Sequence, residues 1–245
     1  MPAKVARPQP EVTAAEIKRA LRALGDPSIA EHSQRFFKTG KGEYGEGDRF
    51  IGIRVPVIRK QVARYKDAPT GVILTILKSR YHEERLFAVL SLVNRYQLSD
   101  EPTRKTIFDS YLENIRYINN WDLVDSSAHL IVGPWLESRS RKRLYQMARS
   151  TDLWTRRVAI MSTYHFIRYC EFDDTLGIAL LLLDDDHDLI HKAVGWMLRE
   201  VGNRERKIEE QFLKKNYQQM PRTMLRYAIE KFPEKSRQAY LKGKI

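Results

Sequence analysis

The chain has 245 residues, of which 43 are Lys or Arg and 31 are Asp or Glu, so its formal charge is +12. Hydrophobic residues make up 42% of the sequence, which excludes a wholly disordered chain. The single cysteine, Cys170, excludes an intrachain disulfide framework, and we interpret it as a buried packing residue. No apolar run approaches the roughly 20 residues of a membrane span, and residues 1–10 lack the apolar stretch of a secretory signal. We therefore expect a soluble, cytoplasmic protein with no membrane partner.

The excess of positive charge indicates a polyanionic partner such as a nucleic acid, because Lys and Arg that neutralise phosphates release condensed counterions. The alternative is a basic protein whose charges are spread evenly over a solvated surface. Composition does not say where the charges lie, so both interpretations stay open at this point.

The few glycines and prolines fall between segments that have a helical period. The first predicted helix covers residues 12–24, with Thr13 as its N-cap. Residues 39–48 carry four glycines and predict a loop, after which Pro56 can occupy the first turn of the next helix. Further helices are predicted at about residues 71–77, 82–96, 103–115, 120–131, 141–148, 154–169, 174–183, 187–201, 205–216 and 221–232. We find no convincing run of alternating strand residues, so the predicted fold class is all-α.

The later helices contain an internal repeat. Residues 155–161, 190–196 and 224–230 align on Arg157, Lys192 and Arg226, at spacings of 35 and 34 residues. Units of two short helices cannot bury an apolar face alone, so they are expected to stack as antiparallel helix pairs into a curved α-solenoid with a concave basic groove. An irregular helical bundle is the alternative. Because no linker divides the chain, we expect one domain over residues 11–241, preceded by a flexible tail at 1–10.

The tryptophans suggest where a functional site lies. Three predicted helices each carry a tryptophan and a charged residue three or four positions apart: Trp121 with Asp125, Trp154 with Arg157, and Lys192 with Trp196. Residues at this spacing share one face of a helix, and equivalent faces of stacked repeats line one groove. In the alternative interpretation the tryptophans belong to the core and the Asp and Arg form an ordinary ion pair.

The sequence lacks the motifs of several common enzyme classes. The sequence has no HExxH, GxSxG or Walker motif, and no GxGxxG after a strand. His187 and His191 lie four apart on one predicted helix, but no third metal ligand is evident. The acidic residues 184–186 precede a helix and are interpreted as capping residues. We expect neither a metal nor a cofactor.

Four motifs resemble those of the AlkD-type DNA alkylation repair glycosylases, a family of HEAT-like repeat proteins. They are GEGDRFIGIRVPVIRK at 45–60, WDLVD at 121–125, LWTRRVAI at 153–160 and IHKAVGWMLRE at 190–200. The resemblance covers residues 17–232 and keeps the order and spacing of the motifs. It implies hydrolysis of the N-glycosidic bond of cationic alkylpurines, such as 3-methyladenine and 7-methylguanine, in double-stranded DNA. It also implies a base excision repair enzyme that leaves the lesion stacked. We expect a monomer, because the substrate groove must stay free, and an association with the nucleoid if the source is bacterial.

The resemblance also assigns roles to individual residues. Asp125 matches the family's catalytic carboxylate, Trp121 and Trp196 match the aromatic residues beside the deoxyribose, and Arg157 matches an arginine of the catalytic cleft that contacts the DNA backbone. Phe36 stands where a family member carries a tyrosine and lacks its hydroxyl. The further DNA-binding residues expected from these motifs are Lys192, Arg54, Arg59, Lys60 and Phe36.

The expected chemistry suits these residue types. A cationic alkylpurine leaves as a neutral base, so the sugar cation and the attacking water are what the protein must stabilise. No lysine is assigned a Schiff base, which predicts a monofunctional glycosylase without lyase activity. Two rival functions are a non-catalytic DNA-binding protein of the same fold, which recognises damaged or branched DNA, and a protein-binding scaffold.

Overall fold

The fold is all-α, as predicted, in a computed structural model that describes residues 12–245. Within that range the only β pairing is an isolated parallel bridge between Arg49 and Tyr81. The tail predicted at residues 1–10 lies outside the described residues. The described residues, 12–245, form two compact units, one ending at Arg95 and the other beginning at Tyr96. The single domain over residues 11–241 and the concave basic groove stay predictions.

The first unit carries the predicted glycine-rich loop and the helices around it. Its helices are α1 (Ala14–Arg22), α2 (Pro27–Phe36), α3 (Val55–Arg64), α4 (Thr70–Leu77) and the start of α5 (His82–Leu98). Thr13 caps α1 as predicted, because its hydroxyl accepts a hydrogen bond from the backbone N–H of Glu16. Pro56 lies in the first turn of α3, also as predicted. Gly52 has φ of +88°, and a Cβ there would lie 1.9 Å from the carbonyl oxygen of Asp26, so only glycine fits this approach.

Helix α2 is absent from the sequence prediction, although Ile29, Ala30 and Phe36 lie at helical spacing. None of its residues is buried. Its start does carry local signals: the Asp26 carboxylate accepts from the backbone N–H groups of Ser28 and Ile29, and Pro27 occupies the first turn.

The second unit consists of successive helix pairs. Its helices are α6 (Glu101–Glu113), α7 (Trp121–Asp125), α8 (Ala128–Trp135), α9 (Lys142–Ala148), α10 (Leu153–Ser162), α11 (Tyr164–Ile167), α12 (Asp173–Leu181), α13 (Asp188–Arg204), α14 (Arg206–Asn216), α15 (Arg222–Ala228) and α16 (Glu234–Leu241), with 3-10 turns at Ile115–Tyr117 and Ile229–Lys231. Helices α7, α10, α13 and α15 contact one another in that order, and α9 contacts α12. The repeat detected in the sequence therefore corresponds to one series of neighbouring helices.

The helix predicted over residues 120–131 is two helices, because two serines interrupt it. The hydroxyl of Ser126 donates to the carbonyl of Asp122 at 2.6 Å, and that of Ser127 donates to the carbonyl of Leu123 at 2.6 Å. Ser127 also pairs with the buried hydroxyl of Tyr111 at 2.8 Å. Such side-chain bonds compete with the helical ladder. The helix predicted over 154–169 is likewise divided, into α10 and α11.

Two predictions for single residues need correction. The burial predicted for Cys170 is wrong: the residue is exposed and has φ of +60°, because it lies in the turn after α11. The N-cap of α13 is His187, whose ring nitrogen accepts from the backbone N–H of Leu189. Of the acidic residues 184–186, Asp185 accepts from the backbone N–H of His187 and pairs with Arg156.

The described residues contain no group of three or more His, Cys, Asp or Glu side chains placed to hold a metal ion. None of the helices within residues 12–245 combines the length and the apolar character that crossing a bilayer requires.

Candidate active site

Helix α7 presents Trp121 and Asp125 at the surface of the second unit. The buried side chain of Asn120 accepts from the backbone N–H of Trp121 at 2.8 Å and fixes the start of the helix. Leu123 and Val124 are fully buried and anchor its inner face. Trp121 and Asp125, one turn apart, are both half-buried and occupy the other face.

Asp125 forms a two-pronged ion pair with Arg157 of α10. The guanidinium Nε donates to Oδ1 at 2.9 Å, and Nη2 donates to Oδ2 at 2.7 Å. Nη1 of Arg157 donates to the backbone carbonyl of Leu189, in the first turn of α13. One side chain therefore joins three neighbouring helices, and all three of its nitrogens are engaged. The planar guanidinium suits this fork geometry, which a lysine could not reproduce.

The environment of the Asp125 carboxyl sets its charge. Burial raises the pKa of Asp125, while the positive charge and hydrogen bonds of Arg157 oppose that rise. The side chain of Asp125 is 15% exposed and that of Arg157 only 5% exposed. A carboxylate has about four acceptor positions, of which Arg157 occupies two, so the exposed edge of Asp125 can still accept from water or face a cation.

Trp196 lies on α13 and is held from two sides. Its indole N–H donates to Oε1 of Glu200 at 3.1 Å, and the ring of Tyr164 lies 6.5 Å away between centroids. The preceding residue, Gly195, permits a close approach of α15, because a Cβ there would lie 2.4 Å from the carbonyl of Met224 and 2.5 Å from Cβ of Tyr227. The position of Trp196 is thus fixed by the α13–α15 packing as well as by its own contacts.

Other predicted site residues have different environments. Trp154 is buried in the core, as the alternative interpretation held. The ammonium of Lys192 pairs with Asp188 at 2.7 Å, and the Lys192 side chain is 38% exposed. In the first unit, the predicted DNA-binding residues are all exposed: Phe36, Arg54, Arg59 and Lys60. The side chain of Phe36, at the end of α2, is 58% exposed. Of the sequence-predicted site residues, the structure brings Asp125 and Arg157 into direct contact.

His129 and Tyr164 adjoin these residues and were not singled out by the sequence patterns. The ring of His129 meets the ring of Tyr164 at 5.3 Å between centroids, and Tyr164 in turn contacts Trp196. The available signal was the spacing, since His129 follows Asp125 by four positions.

The comparison with protein families now gives the geometry its context. The family model described as "DNA alkylation repair enzyme" matches residues 17–232. The chain belongs to the family of DNA alkylation repair enzymes. A solved structure described as a predicted DNA alkylation repair enzyme from Enterococcus faecalis is similar in fold, with a TM-score of 0.66 and 15% sequence identity over 86% of this chain and 97% of that one. No curated protein matches the chain.

Membership among the DNA alkylation repair enzymes supports a role in repair of alkylated DNA and implies DNA as a partner. The family match includes α7, α10 and α13, the three helices that Arg157 joins.

Proposed function

We propose that this DNA alkylation repair enzyme is a monofunctional glycosylase that releases cationic alkylpurines, such as 3-methyladenine and 7-methylguanine, from duplex DNA. The observation that supports the proposal most strongly is the Asp125–Arg157 pair. It presents the exposed edge of a positioned carboxylate one helical turn from a half-buried tryptophan. This combination suits stabilisation of a sugar cation without a metal or a cofactor.

The reaction breaks the bond between C1′ of the deoxyribose and the purine nitrogen. Both electrons of that bond move to the base, which is already positively charged and therefore departs neutral without a proton donor. The deoxyribose becomes oxocarbenium-like, and its charge is stabilised by the carboxylate of Asp125. A water then bonds to C1′ and gives up a proton to the Asp125 carboxylate or to solvent, which leaves an abasic deoxyribose.

The aromatic residues contribute to the same step. The faces of Trp121 and Trp196 attract a positive sugar or base by a cation–π interaction of about 0.5–2 kcal/mol each. Leaving the lesion stacked suits a site in which these side chains meet the sugar and backbone rather than a base held in an enclosed pocket.

Arg157 acts in this proposal as a positioning residue for Asp125. Its guanidinium orients the carboxylate and opposes the rise in pKa that burial causes. The family resemblance implied a contact between Arg157 and the DNA backbone, and the salt dependence of DNA binding tests that contact against the buried ion pair seen here. Because the side chain is 5% exposed and all three nitrogens are engaged, we expect Arg157→Ala to bind with the wild-type slope. A slope shallower by about one would establish a phosphate contact.

The proposal is tested by release of 7-methylguanine and 3-methyladenine from methylated duplex DNA under single-turnover conditions. Asp125→Asn is expected to reduce release on the order of 10²–10³-fold, as loss of a positioned electrostatic group does elsewhere. DNA affinity is expected to be equal or higher, because a negative charge leaves a surface that binds a polyanion.

Asp185→Asn is the matched control, since Asp185 forms the same kind of pair with the neighbouring Arg156. It should leave release unchanged. Wild-type protein that binds duplex DNA with a steep salt dependence but releases neither base would instead be a non-catalytic DNA-binding protein, and Asp125→Asn with wild-type release would remove the role of the carboxylate.

A further inference from the structure

Three aromatic side chains of the second unit, His129, Tyr164 and Trp196, form a row of ring contacts. The ring of His129 meets the ring of Tyr164 edge-on, at 5.3 Å between centroids and an interplanar angle of 70°. The ring of Tyr164 then lies 6.5 Å from that of Trp196, tilted by 37°. Both distances fall in the range of about 4.5–7 Å in which aromatic pairs attract each other.

His129 is held as a neutral ring. Burial and the nearby charge of Arg168 lower the pKa of His129 to about 4. Its Nδ1 is buried and has no hydrogen-bond partner within residues 12–245. The half-buried neutral ring therefore gives Tyr164 an uncharged surface to pack on.

Tyr164 uses its ring rather than its hydroxyl in this row. The residue is half-buried at the start of α11, and its hydroxyl makes no hydrogen bond to any other described residue. Its only described side-chain contacts of a specific kind are the two ring contacts, with His129 on one side and Trp196 on the other.

We infer that Tyr164 is a positioning residue that holds the indole of Trp196 against the sugar of the damaged nucleotide, with His129 as its support. The inference rests on the proposed glycosylase function. Beyond the helix packing that places its backbone, the indole of Trp196 has two described contacts, with the Tyr164 ring and with the Glu200 carboxylate. Loss of the Tyr164 ring leaves one of them, and that one restrains only the N–H edge of the indole.

The test compares single-turnover release of 7-methylguanine by wild type, Tyr164→Phe and Tyr164→Leu, each alone and in a Trp196→Phe background. Tyr164→Phe keeps the ring and is expected to match wild type. Tyr164→Leu is expected to reduce release about two- to tenfold, the range that corresponds to loss of one aromatic pair. In the Trp196→Phe background the same substitution should have less effect, because Tyr164 acts through Trp196.

A second readout needs no DNA. The fluorescence of Trp196 is obtained as the difference between each protein and the same protein carrying Trp196→Phe. Acrylamide should quench this Trp196 fluorescence more easily in Tyr164→Leu than in wild type, and equally in Tyr164→Phe and wild type. Tyr169→Leu is the matched control, because Tyr169 is an exposed tyrosine whose ring also contacts a histidine, His165. It should alter neither release nor quenching.

The possible failures are distinguishable. Wild-type protein that releases no base contradicts the proposed function itself. If wild type releases base, then equal release by Tyr164→Leu overturns the inference about Tyr164 alone. Equal losses from Tyr164→Leu with and without Trp196 also overturn it, since they show that Tyr164 does not act through the indole.

Discussion

Replacement of Arg157 by alanine tests the central argument about the candidate site. The substitution removes two hydrogen bonds from Asp125, of 2.9 and 2.7 Å, and one from the carbonyl of Leu189. Breaking a buried ion pair costs about 3–5 kcal/mol, and because Asp125 is 15% exposed we expect the lower end, about 3 kcal/mol in the free energy of unfolding at pH 7. A urea titration at that pH measures it.

The same substitution should shift the pH dependence of both stability and base release. Without Arg157, burial acts unopposed and the pKa of Asp125 rises further. The folded state then binds more protons than the unfolded state between the unfolded and folded pKa values, so stability falls as pH rises through that window. The deficit relative to wild type should therefore be larger at pH 7 than near pH 4. Because only the ionised carboxylate is active, the rise of the release rate with pH should move to higher pH in Arg157→Ala.

The control for this prediction is Arg156→Ala. Arg156 adjoins Arg157 on α10 and forms a similar pair with Asp185, through Nε at 2.6 Å and Nη2 at 3.3 Å. It should lower stability but leave the pH profile of release in place. The reasoning is refuted if Arg157→Ala and Arg156→Ala lose stability alike while both retain the wild-type rate and pH profile.

Three further outcomes are expected. Replacing both Arg59 and Lys60 by alanine should reduce the slope of log affinity against log salt by about two, as measured by DNA titrations at several salt concentrations. Single-turnover release at saturating protein should not change. An unaltered slope would mean that neither residue contacts the DNA. Gly195→Ala should lower the melting temperature and reduce base release together, since a Cβ would lie 2.4 Å from a backbone carbonyl of α15. Wild-type values for both would show that the close approach of α15 does not depend on glycine at this position. Burial raises the pKa of Glu209 to about 8, so this carboxyl stabilises the fold at acid pH and loses that contribution as pH rises toward 8. The melting temperature of Glu209→Gln should therefore differ less between pH 6 and pH 9 than that of wild type. An equal difference would mean that Glu209 is not the group responsible.

The sequence could predict the all-α class and the positions of most helices because their buried faces follow a helical period. It failed where burial was absent or local hydrogen bonds intervened. Helix α2 has no buried residue, and the serines at 126 and 127 divide a segment whose apolar period runs through without interruption. Periodicity does not detect the side-chain-to-backbone bonds that begin or end a helix, such as the cap of Asp26 on α2 and the bonds of Ser126 and Ser127.

The candidate site was only partly visible in the sequence. The repeat spacing placed Asp125 and Arg157 on neighbouring helices, but could not show that the guanidinium is almost fully buried and occupied by the carboxylate. Trp154 carried the same pattern as Trp121 and yet belongs to the core. Spacing assigns residues to a face of a helix, whereas the depth of that face depends on the packing of its neighbours.

The bond from Arg157 to the carbonyl of Leu189 has a consequence for how the repeats hold together. In stacked helical repeats each unit normally interacts with its nearest neighbours alone, so local opening can spread from the ends one unit at a time. Arg157 ties α7 and α13, which lie on either side of its own helix, into a single cooperative segment. Amide hydrogens of these three helices should therefore exchange with solvent as one group, while α16 at the chain end opens earlier.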